Sequence, residues 1–171
     1  MLCKKTIGSP IGKLTLVSSD TGIRAVLFEN HGSPEEYAEA KESKKHPLLL
    51  QCEKELAEYF KGKRTHFTVP LVPQGTAFRE KVWTALTAIP YGKTESYSQQ
   101  AARIGSPKSA RAVGSANGKN PMPIIVPCHR VIASSGRLGG YAGGVDIKRK
   151  LLEIEGIRIN CFKALGSSVA G

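Results

Sequence analysis

Apolar and polar positions alternate through the first thirty residues and then change to helical spacing, so the chain reads as sheet first and helices afterwards. Residues 2–7, 13–18 and 23–29 form the alternating runs. Gly8-Ser9-Pro10 and Asp20-Thr21-Gly22 punctuate them as turns, which predicts a three-stranded antiparallel meander. Ser33-Pro34-Glu35-Glu36 has the order of an N-cap, a first-turn proline and a capping-box glutamate, predicting a helix. A second helix is expected after His46-Pro47: Leu48, Leu49, Cys52, Leu56, Tyr59 and Phe60 share one face and Gly62 terminates it. Pro70 to Gly75 has linker composition and divides a supporting domain over 1–73 from a second domain over 74–171. There, Thr76 caps a helix running to about Ile89, with Phe78, Val82, Trp83 and Leu86 on its stripe and Pro90 at its end. Trp83 reads as a core anchor in preference to a base-stacking residue. Ser96 and Gln99 make a capping box for a helix stopping at Gly105, and Ser106-Pro107 restart the chain as the cap and first turn of the next. The pair is a helix-turn-helix with a very short turn. Ile124-Ile125-Val126 predicts a short buried strand, and Val145 to Glu155 a last helix closed by Gly156.

These elements imply an α+β fold: a three-stranded antiparallel sheet with helices, then a mainly helical domain with a helix-turn-helix and an active-site strand. The 171 residues are 40% hydrophobic, enough for a real core. The net charge of +11 changes the picture because it is uneven. Residues 1–73 hold 11 Lys and Arg against 9 Asp and Glu, whereas 74–171 hold 14 against 5. Such an excess favours a polyanionic partner, nucleic acid most simply, over a merely basic soluble surface. Cys3, Cys52, Cys128 and Cys161 are scattered without a CxxC pair, which argues against a zinc ribbon, a redox dithiol or a disulfide scaffold. No signal peptide or membrane span is readable, and a reducing cytoplasmic compartment is expected.

The candidate chemistry follows the predicted strand. Pro127 stiffens the backbone and delivers Cys128 beside His129 and Arg130. A cysteine between a proline and a histidine is a candidate nucleophile, since a nearby imidazole or cation favours the thiolate. Its alternative is a small buried hydrophobe. In the second helix of the pair, Arg111, Gly114, Ser115 and Gly118 fall at i, i+3, i+4 and i+7. Interior glycines cost roughly 0.5–1 kcal/mol each relative to alanine, so this face is selected for close approach, by DNA or by another helix. It lacks the long polar side chains that read a major groove and suits a minor groove with one intercalating arginine. Gly139 to Gly144 form a close-fitting loop around Tyr141, without the strand-to-helix context of a phosphate fingerprint.

The run Pro127-Cys128-His129-Arg130, with Asn120-Pro121 before it and Gly139-Gly140-Tyr141-Ala142-Gly143-Gly144 after it, closely resembles the active-site signature of the O6-alkylguanine-DNA alkyltransferases. The resemblance covers about Gly75 to Gly156. It implies a ribonuclease-H-like first domain, a winged-helix-like second one, and DNA repair by stoichiometric alkyl transfer from O6-alkylguanine, with O4-alkylthymine as a second substrate. It also implies minor-groove binding and base flipping by a monomer on double-stranded DNA, with no cofactor and no membrane. Cys128 is then the acceptor, His129 the base reached through a water, Glu155 the group orienting the imidazole, and Tyr97 the residue that rotates the nucleotide and protonates guanine N3. Arg111 fills the gap left by the flipped base, and Ala110, Gly114, Ser115 and Gly118 accompany it on DNA. Pro123, Val131, Tyr141, Ala142 and Gly143 line the pocket. The carbonyls of Cys128 and Val131 accept from the guanine amino group, and the Ala142 amide donates to O6. Asn120 tethers the loop ahead of the site. Cys3, His31 and His66 match only part of a zinc set carried by some relatives, so no metal is expected. Ala142 stands where serine is frequent, and Lys150 where an aromatic residue is frequent, which touches packing and not chemistry.

Read from the residues alone, Tyr97 can equally be a core residue at a helix start. Glu155 can be an exposed glutamate tolerating an unfavourable helix dipole of about 0.3–1 kcal/mol. A damage-recognition protein without transfer would lack Cys128. A helix-turn-helix regulator would need base-reading side chains.

Overall fold

Cys3–Ile7 (β1), Leu14–Ser18 (β2) and Ile23–Phe28 (β3) form the expected antiparallel meander, with Lys5 opposite Leu16 and Leu16 opposite Val26. The structure is a computed structural model describing residues 1–158, so Cys161 lies outside the described residues. A two-residue strand, Lys41–Glu42 (β4), extends the sheet by pairing parallel to β1, giving the order β3-β2-β1-β4. Pro47–Phe60 (α1) begins at its proline, where the His46 ring accepts from Leu48 N. Leu49, Cys52, Leu56 and Tyr59 on α1 are fully buried, as are Leu14, Leu16, Val17, Ile23 and Ala25 on the strands. Burial, with Glu55 and Glu53 nearby, pushes the Cys52 thiol up to about 12. It is a core residue and not a nucleophile.

The chain divides into two compact units, Met1–Gln74 with Pro121–Ile125, and Gly75–Asn120 with the chain from Val126 onward. In the first unit the segment of linker composition is fixed: Ile23 N donates to Pro70 O at 2.8 Å and Val72 N to Ile23 O at 2.9 Å. Gly22 permits this approach, since a Cβ there would stand 2.6 Å from Val72 Cγ2. Glu55 secures the residues just before. Its carboxylate accepts from Thr68 N and Oγ1, both at 2.8 Å, from Val69 N at 3.2 Å and from Gln51 Nε2 at 2.8 Å.

In the second unit Ala77–Leu86 (α2) is capped by Thr76, whose hydroxyl accepts from Arg79 N. Trp83 is an anchor here, its Nε1 donating to Ala116 O at 2.8 Å. Tyr97–Arg103 (α3) and Ala110–Gly118 (α4) are joined through a buried reciprocal amide pair: Gln100 Nε2 donates to Asn117 Oδ1 at 3.1 Å and Asn117 Nδ2 to Gln100 Oε1 at 2.8 Å. Glu95–Ser96 (β5) pairs parallel with Val131–Ile132 (β6), and Val145–Ile154 (α5) closes the unit. Among the described residues no helix is long and apolar enough to cross a membrane.

Four local expectations are corrected. The helix at Ser33-Pro34 is a single 3-10 turn, Glu35–Tyr37, because Tyr37 is the only buried residue of that turn and, one buried alanine (Ala40) later, Lys41 N bonds Leu2 O and the chain joins the sheet. Helix α2 ends at Leu86, and Thr87 to Ile89 tighten into i to i+3 bonds. Helix α4 begins at Ala110, because Ser106 to Ser109 close their own turn after Gly105, lengthening the link between the paired helices. Ile124-Ile125-Val126 is not a strand. Ile124 has φ +77°, an outlier for a β-branched residue, and the run is a buried turn; Pro121–Ile125 belongs to the first unit, where Val26 N donates to Pro121 O at 2.9 Å.

Burial raises the Glu55 carboxyl, but its hydrogen bonds outweigh that and hold it below the usual carboxylate range. Its contribution to stability is therefore present at neutral pH and lost as pH falls through the folded-state value, which lies below that of a free glutamate. Glu55→Ala should lower the unfolding free energy by about 1–3 kcal/mol in urea at pH 7, because Thr68 and Val69 lose their acceptor. The difference from wild type should narrow on acidification; a pH-independent difference would contradict this.

Candidate active site

The capping box of α3 forms in both directions: Ser96 Oγ accepts from Gln99 N at 3.0 Å, and Gln99 Oε1 accepts from Ser96 N at 2.8 Å. It fixes Tyr97 as the first helical residue. The Tyr97 ring is half-buried between two glycines. A Cβ on Gly114 of α4 would lie 3.5 Å from Tyr97 Cδ1, and one on Gly139, with φ +75°, would lie 2.9 Å from its hydroxyl. Burial, then the nearby Cys128 charge, pushes the Tyr97 phenol up. It keeps its proton at neutral pH and can donate it.

Cys128–Arg130 is one turn of 3-10 helix, not the extended backbone expected after a strand. Cys128 N donates to Val126 O at 2.8 Å and Val131 N to Cys128 O. Successive side chains in such a turn fan out by about 120°, which still directs Cys128 and His129 apart. Cys128 is 7% exposed. The chain leaves the second unit after Asn120 and returns at Val126, and Asn120 Nδ2 spans that gap by donating to Val126 O at 2.9 Å. The same amide donates to Cys128 Sγ at 3.3 Å, a contact the sequence did not reveal.

His129 is fully buried and its Nε2 lies 2.5 Å from Glu155 Oε2. A carboxylate there places the ring proton on Nε2 and the lone pair on Nδ1. Burial lowers the imidazole below its ordinary value, opposed by the Glu155 bond and charge and assisted by Arg130 and Lys148. The ring is therefore neutral at pH 7 and able to accept a proton. Glu155, 6% exposed, is not a surface glutamate. It also accepts from Arg130 Nε at 2.8 Å and Nη2 at 3.2 Å, and from Gly92 N at 3.0 Å. Arg130 completes its fork on Ile89 O at 2.7 Å and lies 5.7 Å over the Tyr91 ring.

The thiol itself is pushed up, contrary to the lowered value expected beside an imidazole. Burial dominates; the Asn120 bond, the Lys148 charge and a Tyr141 hydroxyl bond oppose it. Val131 is buried in β6, opposite Glu95; Gly143 is buried, and Tyr141 and Ala142 are half-buried in the glycine loop. Pro123 belongs to the first unit. On α4, Arg111, Ser115 and Gly118 are exposed and Ala110 is half-buried; Gly118 faces open space. Lys150 is exposed, so the departure noted there touches no core.

Sequence reasoning missed Lys148, Tyr91 and Gly92. Lys148, Leu151, Leu152 and Glu155 are at i, i+3, i+4 and i+7 of α5, all buried. A lysine and a glutamate bounding an apolar stripe were the available signal.

Comparison with known proteins gives a consistent picture. The family described as 6-O-methylguanine DNA methyltransferase, DNA binding domain, matches residues 77–157, and the ribonuclease-like domain of the same methyltransferases matches residues 2–73. A methylated-DNA–protein-cysteine methyltransferase of Methanosarcina acetivorans is 44% identical over 152 residues, covering 86% of this chain and 94% of that protein. The constitutive one of Bacillus subtilis is 44% identical over 155 residues, covering 89% and 94%. The crystal structure of Mycobacterium tuberculosis OGT in complex with DNA superposes with a TM-score of 0.85 at 44% identity, covering 90% of this chain and 92% of that one.

The buried geometry predicts the effect of Glu155→Gln. An amide supports the imidazole less than a carboxylate does, so His129 becomes a poorer proton acceptor and Cys128 should ionise at higher pH. The pH profile of Cys128 alkylation should shift to the alkaline side; an unchanged profile would show that Glu155 serves only to hold Arg130.

Proposed function

Because this chain belongs to the 6-O-methylguanine DNA methyltransferase family, we propose that it repairs alkylated DNA by moving the alkyl group from guanine O6 to Cys128. The observation that carries this is the turn at Cys128, where a thiol held by Asn120 stands beside a neutral His129 locked on Glu155. The base must leave the duplex to reach a thiol that is 7% exposed, and the glycine-rich face of α4 with exposed Arg111 suits minor-groove binding and filling of the vacated stack. Tyr97, at the start of α3, turns the nucleotide.

The thiol proton passes through water to His129, whose imidazolium Glu155 stabilises. The thiolate attacks the saturated carbon on O6; a C–S bond forms as the C–O bond breaks, the electron pair goes to the guanine, and N3 takes the Tyr97 proton. In the pocket, the carbonyls of Cys128 and Val131 and the amide of Ala142 recognise guanine, with Tyr141 and Gly143 closing the loop. O4-alkylthymine is the second substrate. The thioether is inert to water, so each molecule acts once. Its working form is a monomer, in the reducing cytoplasm that a reactive thiol requires.

Intact-mass analysis after incubation with a duplex containing O6-methylguanine should show one methyl group per molecule, on the Cys128 peptide, and none on Cys128→Ala. Transfer to Cys128→Ala would sink the mechanism. Arg111→Ala and Tyr97→Phe should slow repair of the duplex roughly tenfold or more beyond their effect on free O6-benzylguanine, where flipping is bypassed. Equal losses on both substrates would assign these residues to the pocket or the fold.

A further inference from the structure

Lys148 is fully buried, although lysine is almost never so unless paired. Its ammonium donates to Leu138 O and, at 3.3 Å, to Gly140 O, and it stands 5.8 Å from the centroid of the Tyr97 ring. Two carbonyl dipoles and a ring face compensate a buried cation only in part, and burial lowers its pKa to about 8. Cys128 acts in the opposite sense, favouring the charged lysine, and the lysine charge in turn favours the thiolate. An apolar residue of similar volume would serve packing at least as well. The cation has a use that packing does not explain.

We propose that Lys148 is a positioning residue of the transfer reaction: its ammonium fastens the Leu138–Gly140 stretch against the Tyr97 ring and is the cation against which the Cys128 thiolate forms. The inference rests on the transfer reading given above. Lys148 takes no proton from Cys128; that proton goes to His129, and Lys148 stabilises the anion left behind. On alkylation the anion is consumed, and the lysine loses that partner while still holding the loop and Tyr97. The groups around it are Cys128 and His129 of the 3-10 turn, with Arg130 and Glu155 behind His129, Tyr97 of α3 and Tyr141 of the loop. On its own helix Asp146, Lys150 and Glu153 are exposed and Arg149 is half-buried.

The test compares wild type, Lys148→Met and Lys148→Arg in two assays across pH. Ionisation of Cys128 is read as thiolate absorbance relative to Cys128→Ala in each background, and transfer as the single-turnover rate with O6-benzylguanine. In Lys148→Met the Cys128 ionisation should move to higher pH and the rate at pH 7 should fall by about tenfold, the effect of one pKa unit on thiolate fraction. That deficit should shrink as pH rises. The wild-type rate should climb less steeply with pH above about 8, where Lys148 deprotonates and stops favouring the thiolate, and Lys148→Arg, whose charge does not titrate, should lack that break in slope. A Lys148→Met deficit equal at every pH, with Cys128 ionising as in wild type, overturns the proposal. So does a break in slope near pH 8 that persists in Lys148→Arg, which also decides the matter if the methionine variant fails to fold. The absorbance assay needs no substrate, so it stands apart from the transfer reading, which would fall only if wild type took no alkyl group.

Discussion

A buried carboxylate must be matched bond for bond, and Glu155 is matched by His129, both nitrogen arms of Arg130 and the amide of Gly92. Removing two charges from water costs several kcal/mol per ion, so such a group persists only where every lone pair has a use. The network thus joins three places: the 3-10 turn that carries Cys128, the loop after α2, and the end of α5, where Glu155 itself sits. One side chain at a helix terminus thereby fixes the backbone on which the thiol sits. The helix dipole disfavours a glutamate there, and the buried network outweighs it.

The same network decides the protonation states. Burial alone leaves both the thiol and the imidazole uncharged, which suits a protein that must keep its one nucleophile unreacted until a base arrives. Asn120, Tyr141 and Lys148 each act on the sulfur in the direction of the anion, so ionisation is held close at hand without being completed. Close packing is obtained through missing side chains: Gly114 and Gly139 bring α4 and the loop onto the Tyr97 ring. The small-residue face of α4 thus has two causes. Gly114 serves Tyr97, while Gly118, with nothing near it, leaves the surface open.

The strands, α1, and the capping boxes were legible in the sequence because each is a local pattern with a local cause. The chemistry of Cys128 was legible through its neighbours in sequence. What escaped was set by contacts distant along the chain. Ile124-Ile125-Val126 has the composition of a buried strand, and hydrophobicity cannot distinguish that from a buried turn with one residue at positive φ. The 70–72 segment has the composition of a linker, yet it is bonded beside β3. Lys148 was overlooked because a lysine within a helix ordinarily faces water, and only its place on the stripe with Leu151, Leu152 and Glu155 marks it as internal. For Arg130, the distance to Glu155 along the chain hid the partner that matters most.

The claim that the Glu155 carboxylate holds the nucleophile's turn through Arg130 is tested most directly by a double-mutant cycle on unfolding free energy, using Arg130→Met, Glu155→Gln and the pair. The account predicts that the double variant loses less than the two single losses together, by about 2–3 kcal/mol, the upper range for residues sharing one buried network. Additive losses would contradict it and make Glu155 and Arg130 independent contributors to the fold.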